Sequence, residues 1–233
     1  MSDNLPFRLP PVDASAADDV PSGVLSAELL AGLLADGDDE LAAWALRHAL
    51  AEDARATVYD GLLADAMHLV GERWASGQWS VAEEHLASRT LLRALELVRP
   101  PMGPESRVGP LAVLAGVAGE QHILGLVCLE QVLAEAGWTV SNMGADLPSA
   151  DLAGFVARNE VALVALTASD AERIGALLEA IAAVRTGAGD RSLAILVGGR
   201  LAAQPGLAGT VGADGAAITL TDALAFAKAH EPA

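Results

Sequence analysis

Lysine is almost missing from this 233-residue chain. Lys228 stands alone among 14 basic residues, against 31 acidic ones, and the formal net charge is −17. Binding to a phosphate backbone draws on clustered positive charge, and no window of the sequence supplies it. Direct contact with nucleic acid is therefore not expected, whereas an acidic surface promotes solubility and suits a basic protein partner. Cysteine is just as scarce. Cys128 is the only one, so there is no internal disulfide and no multi-cysteine metal site. Hydrophobic residues make up 52% of the chain, yet no unbroken apolar run reaches the roughly 18–20 residues needed to span a bilayer. The opening MSDNLPFRLPPVDASAADDVPSG has no basic stretch followed by an apolar one, so it does not read as a secretory leader. The expectation is a cytoplasmic protein with no membrane partner.

Aromatic residues are scarce as well, at 3%, and their placement is uneven. WASGQWSVAEEH, residues 74–85, holds two of the four tryptophans and ends on Glu84 and His85.

The chain divides by texture. Residues 1–24 are rich in Pro, Asp, Ser and Ala without periodicity, as in a flexible tail. Over 25–100, SAELLAGLLADG, DDELAAWALRHALAEDA and ARATVYDGLLADAMHLVGERWASG space their apolar residues as helices do. Ser80 and Glu83 form a capping-box pattern that starts a fourth helix running to about Val98. Four helices on short connections predict an antiparallel bundle. The proline- and glycine-rich stretch 101–109 reads as a linker. From 110 to 233, short apolar runs alternate with helical patterns: LAVLAGVAG, WTVSNMG, VALVALTAS, SLAILVGG and GADGAAITL are the five strand candidates. That alternation predicts a Rossmann-like, flavodoxin-like doubly wound parallel sheet of five strands behind the N-terminal four-helix bundle. Ligands of such sheets bind outside the carboxyl ends of the strands.

The strand ends carry polar and glycine motifs. After the first comes Gly119-Glu120-Gln121-His122-Ile123-Leu124-Gly125. One nitrogen of His122 can ligate a metal while the other donates its proton to Glu120, which fixes the tautomer and raises basicity. Gly125 removes a side chain where the next helix starts, letting a ligand run close to the backbone. Read alone, the segment serves equally as a helix-leading loop with an incidental histidine. The third strand ends on Thr167 and Ser169 and the fourth on Gly198-Gly199. GVAGEQHILG lacks the G-x-G-x-x-G dinucleotide fingerprint. Hydroxyls and paired glycines suit instead a deep slot for a long ligand tail.

Glu120-x-His122-x-x-Gly125, Thr167-x-Ser169 and Gly198-Gly199, in this order, resemble the cobalamin-binding domain. The resemblance implies that His122 replaces dimethylbenzimidazole as the lower cobalt ligand and that the displaced nucleotide tail lies in the slot. The family motif begins with Asp and often has Ser where Thr167 stands; Glu120 and Thr167 keep the proton acceptor and the hydroxyl. The preceding bundle resembles the cap module of methionine synthase and its relatives, which extends the likeness to residues 26–230.

Trp74, nine residues and then Glu84-His85 is similar to the signature of the light-dependent cobalamin repressors. That likeness implies that Trp74 covers the upper face beside an adenosyl group and that Glu84 and His85 contact it. Two features depart from that family. The chain opens on its tail rather than on a helix-turn-helix, and Ala75 stands where relatives with a bis-histidine light state have histidine. Trp44, His48, Tyr59, His68 and Trp79 add a further aromatic and imidazole set to the bundle, although His48 and His68 read equally as ordinary helix residues. Photocobilins, stand-alone relatives, hold a biliverdin between cap and cobalamin. With Cys128 on the first α/β helix, a biliverdin here would be bound without a thioether.

The resemblance thus implies a sensor rather than an enzyme, with cobalamin, most readily adenosylcobalamin, as cofactor. Light acting on the corrin or on an adjacent biliverdin would loosen the cap and signal to a protein partner or through a homo-oligomer such as a dimer. The alternative is a corrinoid methyl-carrier subunit using the same His122 but leaving the upper face open to a methyltransferase. The charge makes one expectation independent of any cofactor: the purified protein should not retard duplex DNA. A salt-sensitive shift at sub-micromolar protein would contradict it.

Overall fold

The computed structural model describes residues 25–101 and 109–232. The expected tail and nearly all of the expected linker lie outside the described residues. Helix α1 (Ala27–Ala35) starts where the Ser26 hydroxyl accepts the Leu29 N–H, and stops at Asp36 and Gly37. Gly37 takes φ +80°, a conformation that favours glycine. Asp38 then caps α2 (Asp39–Glu52) through the Leu41 N–H. The third helix of the bundle is continuous but not uniform: α3 (Arg55–Val58) passes through a π-helical turn, Tyr59–Leu63, into α4 (Ala64–Ala75). Helix α5 (Val81–Leu97) opens on the expected capping box between Ser80 and Glu83. Leu30, Leu34, Leu46, Leu63, Val70, Leu91 and Leu95 close the core between these helices.

Five strands form one parallel sheet in the order β2-β1-β3-β4-β5. They are β1 (Leu111–Gly116), β2 (Thr139–Asn142), β3 (Val161–Thr167), β4 (Ala194–Gly198) and the two-residue β5 (Gly215–Ala216). This is the flavodoxin-like order, with its switch point between β1 and β3. Alternation along each strand feeds two cores. Val113, Ala115, Val164 and Leu166 face α7 (Ser149–Arg158), α8 (Ile174–Ala188) and α9 (Leu207–Val211). Ala112, Leu114, Leu163 and Ala165 face α6 (Leu124–Glu135) and α10 (Leu220–Ala229).

The bundle docks on the outer side of α6. Leu126, Leu129 and Leu133 of that helix pack on the sheet, while Cys128 and Val132 join the bundle core. A buried polar knot fixes the register. The Tyr59 hydroxyl donates to Gln131 Oε1 (2.7 Å) and accepts from the Arg55 guanidinium (2.8 Å). The guanidinium also reaches Gln131 Oε1 and the Val98 carbonyl, and the Gln131 amide donates to the Leu95 carbonyl (2.8 Å). Next to Tyr59, the Asp60 carboxylate caps α10 by accepting from the Leu220 and Thr221 N–H groups and the Thr221 hydroxyl. A π turn inserts one extra residue into the helical period. Here two consecutive residues thereby serve two different elements of the α/β half.

Burial pushes the Tyr59 hydroxyl up to about 12, with Arg55 pulling the other way. The fold thus favours the neutral phenol. This contribution to stability is fully present below the ordinary value of 10.0 and is lost as pH rises from there through about 12. Tyr59 is the only tyrosine, so tyrosinate absorbance reads it alone. The native protein should ionise near pH 12 and the denaturant-unfolded chain near 10. A native midpoint at the ordinary value would show that the knot is open to water.

Candidate functional site

The loop from Val117 to Ile123 joins β1 to α6 at the carboxyl edge of the sheet. Several bonds pin it: the Gly119 N–H donates to Asp146 Oδ1 (2.6 Å), the Glu120 N–H to the Val117 carbonyl, and the Asp146 N–H to the Glu120 carbonyl. The Glu120 side chain is only 2% exposed, whereas the His122 ring two residues on is 72% exposed. Glu120 Oε1 accepts the His122 backbone N–H (2.8 Å) and faces imidazole Nδ1 (2.7 Å). With the Nδ1 proton given to the carboxylate, Nε2 keeps its lone pair and points it away from that anchor. Burial opposes ionisation of Glu120. The His122 N–H, its imidazole and the Ser169 hydroxyl outweigh it and hold the carboxyl below the usual range. Glu120 Oε2 is buried with no partner at hydrogen-bond distance, although Ser169 lies near enough to favour the charged form.

The neighbouring strand ends separate glycines that the fold requires from glycines it does not. Gly199 has φ +84°, and a Cβ there would sit 2.4 Å from the Ala168 carbonyl oxygen and 2.7 Å from Thr167 Oγ1. Its absence of side chain is structural. At Gly198 a Cβ would meet only the Ala217 carbonyl, at 3.9 Å, and at Gly125 it would meet nothing within 4 Å. Gly125 is the exposed second residue of α6, where no protein group accounts for the missing side chain and the backbone is open to a ligand. Thr167 is buried and Ser169 half-buried beside this open space, and Gln121 is exposed at its rim.

The cap reaches over the same edge. Arg55 bonds Glu135 and Tyr59 bonds Gln131, so the α3–α4 rod runs antiparallel to α6. At a rise of about 1.5 Å per residue, the rod continues about 24 Å from Tyr59 to Ala75, while α6 has only about 10 Å left from Gln131 to its first residue. The end carrying Trp74 therefore projects past the start of α6. Trp74 is 51% exposed, and Val81 and Leu86 are exposed nearby in sequence. The Glu84 carboxylate faces His85 Nδ1 and accepts from the Ser88 hydroxyl (2.9 Å). Trp79 does a different job: the Arg73 guanidinium lies 4.7 Å from its ring centroid and also pairs with Glu28, which ties that ring to the bundle.

The structure thus joins Glu120 to His122, Thr167 to the Gly199 turn, and Glu84 to His85. Among the described residues no hydrogen bond, ion pair or ring pair joins Trp74 to the Glu84–His85 pair, or either to the His122 loop. The wider aromatic set does not converge. Tyr59 is locked into the knot, His68 is exposed and pairs with Glu72, and the only ring pair of the set is Trp44 on His48, 5.8 Å apart. Two residues went unremarked in the sequence. Asp146 holds the loop from a positive φ of 54°, and Arg173 lays its guanidinium against Gly119. Neither has a local signature, since both act across a chain reversal. A separate depression lined by Gly109, Pro110, Leu111, Arg191 and Ser192 lies at the opposite edge of the sheet, away from all of these groups.

Among the described residues no three His, Cys, Asp or Glu side chains converge on one point. His122 offers a metal a single nitrogen, which fits an ion that brings its own equatorial donors, as a corrin does, rather than a bare cation that needs three or four protein ligands. The open backbone at Gly125 and Gly198 fits a large planar ligand with a tail.

Comparisons with known proteins agree with that chemistry. Residues 27–99 match one family model described as a B12 binding domain, and residues 110–225 match a second model of the same description. The chain is 36% identical over 108 residues to the HTH-type transcriptional repressor CarA of Myxococcus xanthus, covering 46% of this chain and 35% of that protein. It is 35% identical over 96 residues to the repressor CarH of the same organism, covering 40% and 31%. The matched stretch therefore spans about a third of the length of these relatives. The monomethylamine corrinoid protein of Methanosarcina barkeri shares the fold, with a TM-score of 0.73 at 16% identity over 89% of this chain and 98% of that one. The two matched models take in most of the chain, which belongs to the B12 binding domain family and is a cobalamin-binding protein.

Proposed function

We propose that the protein is a cobalamin-based light sensor in which His122 is the lower cobalt ligand. Trp74, Glu84 and His85 cover the upper ligand. What supports this reading is the projecting cap end, which carries a half-exposed tryptophan and a Glu–His pair on the side where α6 begins, just after the exposed His122 ring. Cobalamin, when bound, supplies a visible-absorbing corrin and, in its adenosyl form, a cobalt–carbon bond that light can break. Glu120 keeps the Nδ1 proton on His122 and so keeps Nε2 available. Thr167, Ser169, Gly198 and Gly199 line the slot for the displaced nucleotide tail, and Gly125 and Gln121 border its mouth.

Glu84 and His85 are adjacent on a helix, yet their polar tips meet and form one carboxylate–imidazole pair. Such a pair has hydrogen bonds to offer the hydroxyls and ring nitrogens of an adenosyl group and none that a methyl group can use, which favours a sensor over a methyl carrier. A biliverdin beside the corrin would also offer it polar groups. It would be held without a thioether, because Cys128 is buried and its thiol is pushed up to about 12 by that burial, then by Asp60.

Loss of the upper group would remove what Trp74 packs against and shift the population between two packings of the cap. The output would pass to a second copy of the chain or to a protein partner. The repressor activity of the Myxococcus relatives does not follow from a match to a third of their length.

Illumination tests the reading. Free adenosylcobalamin also photolyses, so the informative signal is a light-driven change in tryptophan fluorescence or sedimentation accompanying the spectral change. Bands toward the red before illumination would reveal a bilin. Trp74→Ala should speed loss of the upper group or diminish the protein's light response while leaving corrinoid binding intact. If Trp74→Ala binds, photolyses and sediments as the wild type does, Trp74 is not part of the upper site and the methyl-carrier reading takes precedence.

A further inference from the structure

Among the described residues, Arg173 is the only partly buried basic residue whose side chain makes neither a hydrogen bond nor an ion pair. Arg55, Arg73, Arg99 and Arg185 are paired with carboxylates, and the other basic side chains without a partner are exposed. Arg173 closes the short 3₁₀ turn Ala171–Arg173, four residues beyond Ser169, and leads into α8. Its guanidinium crosses to the loop after β1, where a Cβ on Gly119 would lie 2.4 Å from Nη1 and 3.0 Å from Cζ. It thus bridges the exits of β1 and β3, the two strands that flank the switch point.

Among the described residues no carboxylate oxygen comes within 4.0 Å of its guanidinium nitrogens, neither from the flanking Asp170 and Glu172 nor from Glu120 and Asp146 across the gap, which bond His122 and the Gly119 N–H. A partly desolvated cation without a partner is costly, and it is conspicuous in a chain of net charge −17. We propose that Arg173 binds the phosphodiester of cobalamin's nucleotide tail where that tail enters the slot between the strand ends. The proposal rests on the tail-in-slot reading above. The phosphodiester is the one anionic group of the ligand, and a guanidinium fork matches two of its oxygens. The same contact supplies a recognition element for complete corrinoids over fragments that lack the nucleotide.

Visible-absorbance titrations with cobalamin and with cobinamide, which has the corrin but neither nucleotide nor phosphate, test the assignment. Arg173→Gln should weaken cobalamin binding about tenfold, as loss of a charge-assisted pair would, and change cobinamide binding by less than about twofold. Arg173→Lys should fall between Arg173→Gln and the wild type. Arg158→Gln, at the far end of α7, should leave both affinities unchanged and controls for net charge. The proposal is overturned if Arg173→Gln weakens both corrinoids alike, which would make Arg173 a loop support, or weakens neither. A wild-type protein that binds neither corrinoid would instead overturn the cobalamin reading itself.

Discussion

The carboxylate of Glu120, buried and held below its usual range, fixes one nitrogen of an imidazole whose other nitrogen faces outward. Much of the α/β half serves that contact. The β1 exit must bend sharply enough to return Glu120 under the sheet edge, which the Gly119 turn (φ +80°) and the clamp from Asp146 accomplish. The β3 exit must deliver Ser169 toward the same carboxylate, whose charged form its hydroxyl favours. Buried charge is tolerated only where hydrogen bonds compensate it. The position of His122 is therefore set by the folded loop rather than by a ligand.

The cap depends on a second buried polar arrangement, the Arg55–Tyr59–Gln131 knot, and on Asp60 at the start of α10. These groups grip the base of the α3–α4 rod, while its far end carries Trp74 beyond the last supporting turn of α6. That far end is tied to the bundle through Arg73, which pairs with Glu28 and lies over the Trp79 ring, whereas the base is bonded to the α/β half itself. The knot thereby sets the register between the two halves.

Local rules explain which parts were legible from sequence. Ser80 with Glu83 announces the start of α5 because a capping box is a four-residue property. The strand exits at His122, Thr167 and Gly198-Gly199 follow from alternation of short apolar runs with helices, and the five-stranded parallel sheet observed is of the doubly wound kind that alternation implies. The π turn at Tyr59–Leu63 was invisible, since its partners lie about 70 to 160 residues away in Gln131, Leu220 and Thr221. The aromatic and imidazole set of the bundle was misleading for the same reason. Composition grouped Tyr59, Trp79 and His68, whereas tertiary contacts assign them to a knot, a cation–π clamp and the solvent. Gly198 and Gly199 look alike in sequence, but only the backbone shows that one is demanded by the turn and the other leaves room.

The central claim, that a histidine of this chain and not the ligand's own base holds cobalt from below, has a direct spectroscopic test. Protein grown with nitrogen-15 histidine and loaded with cobalamin can be reduced to cobalt(II) and its electron paramagnetic resonance recorded. Ligation by His122 predicts that each cobalt line splits into a doublet instead of the triplet given by nitrogen-14. A triplet that survives the labelling would mean that dimethylbenzimidazole remains bound, and would contradict the account.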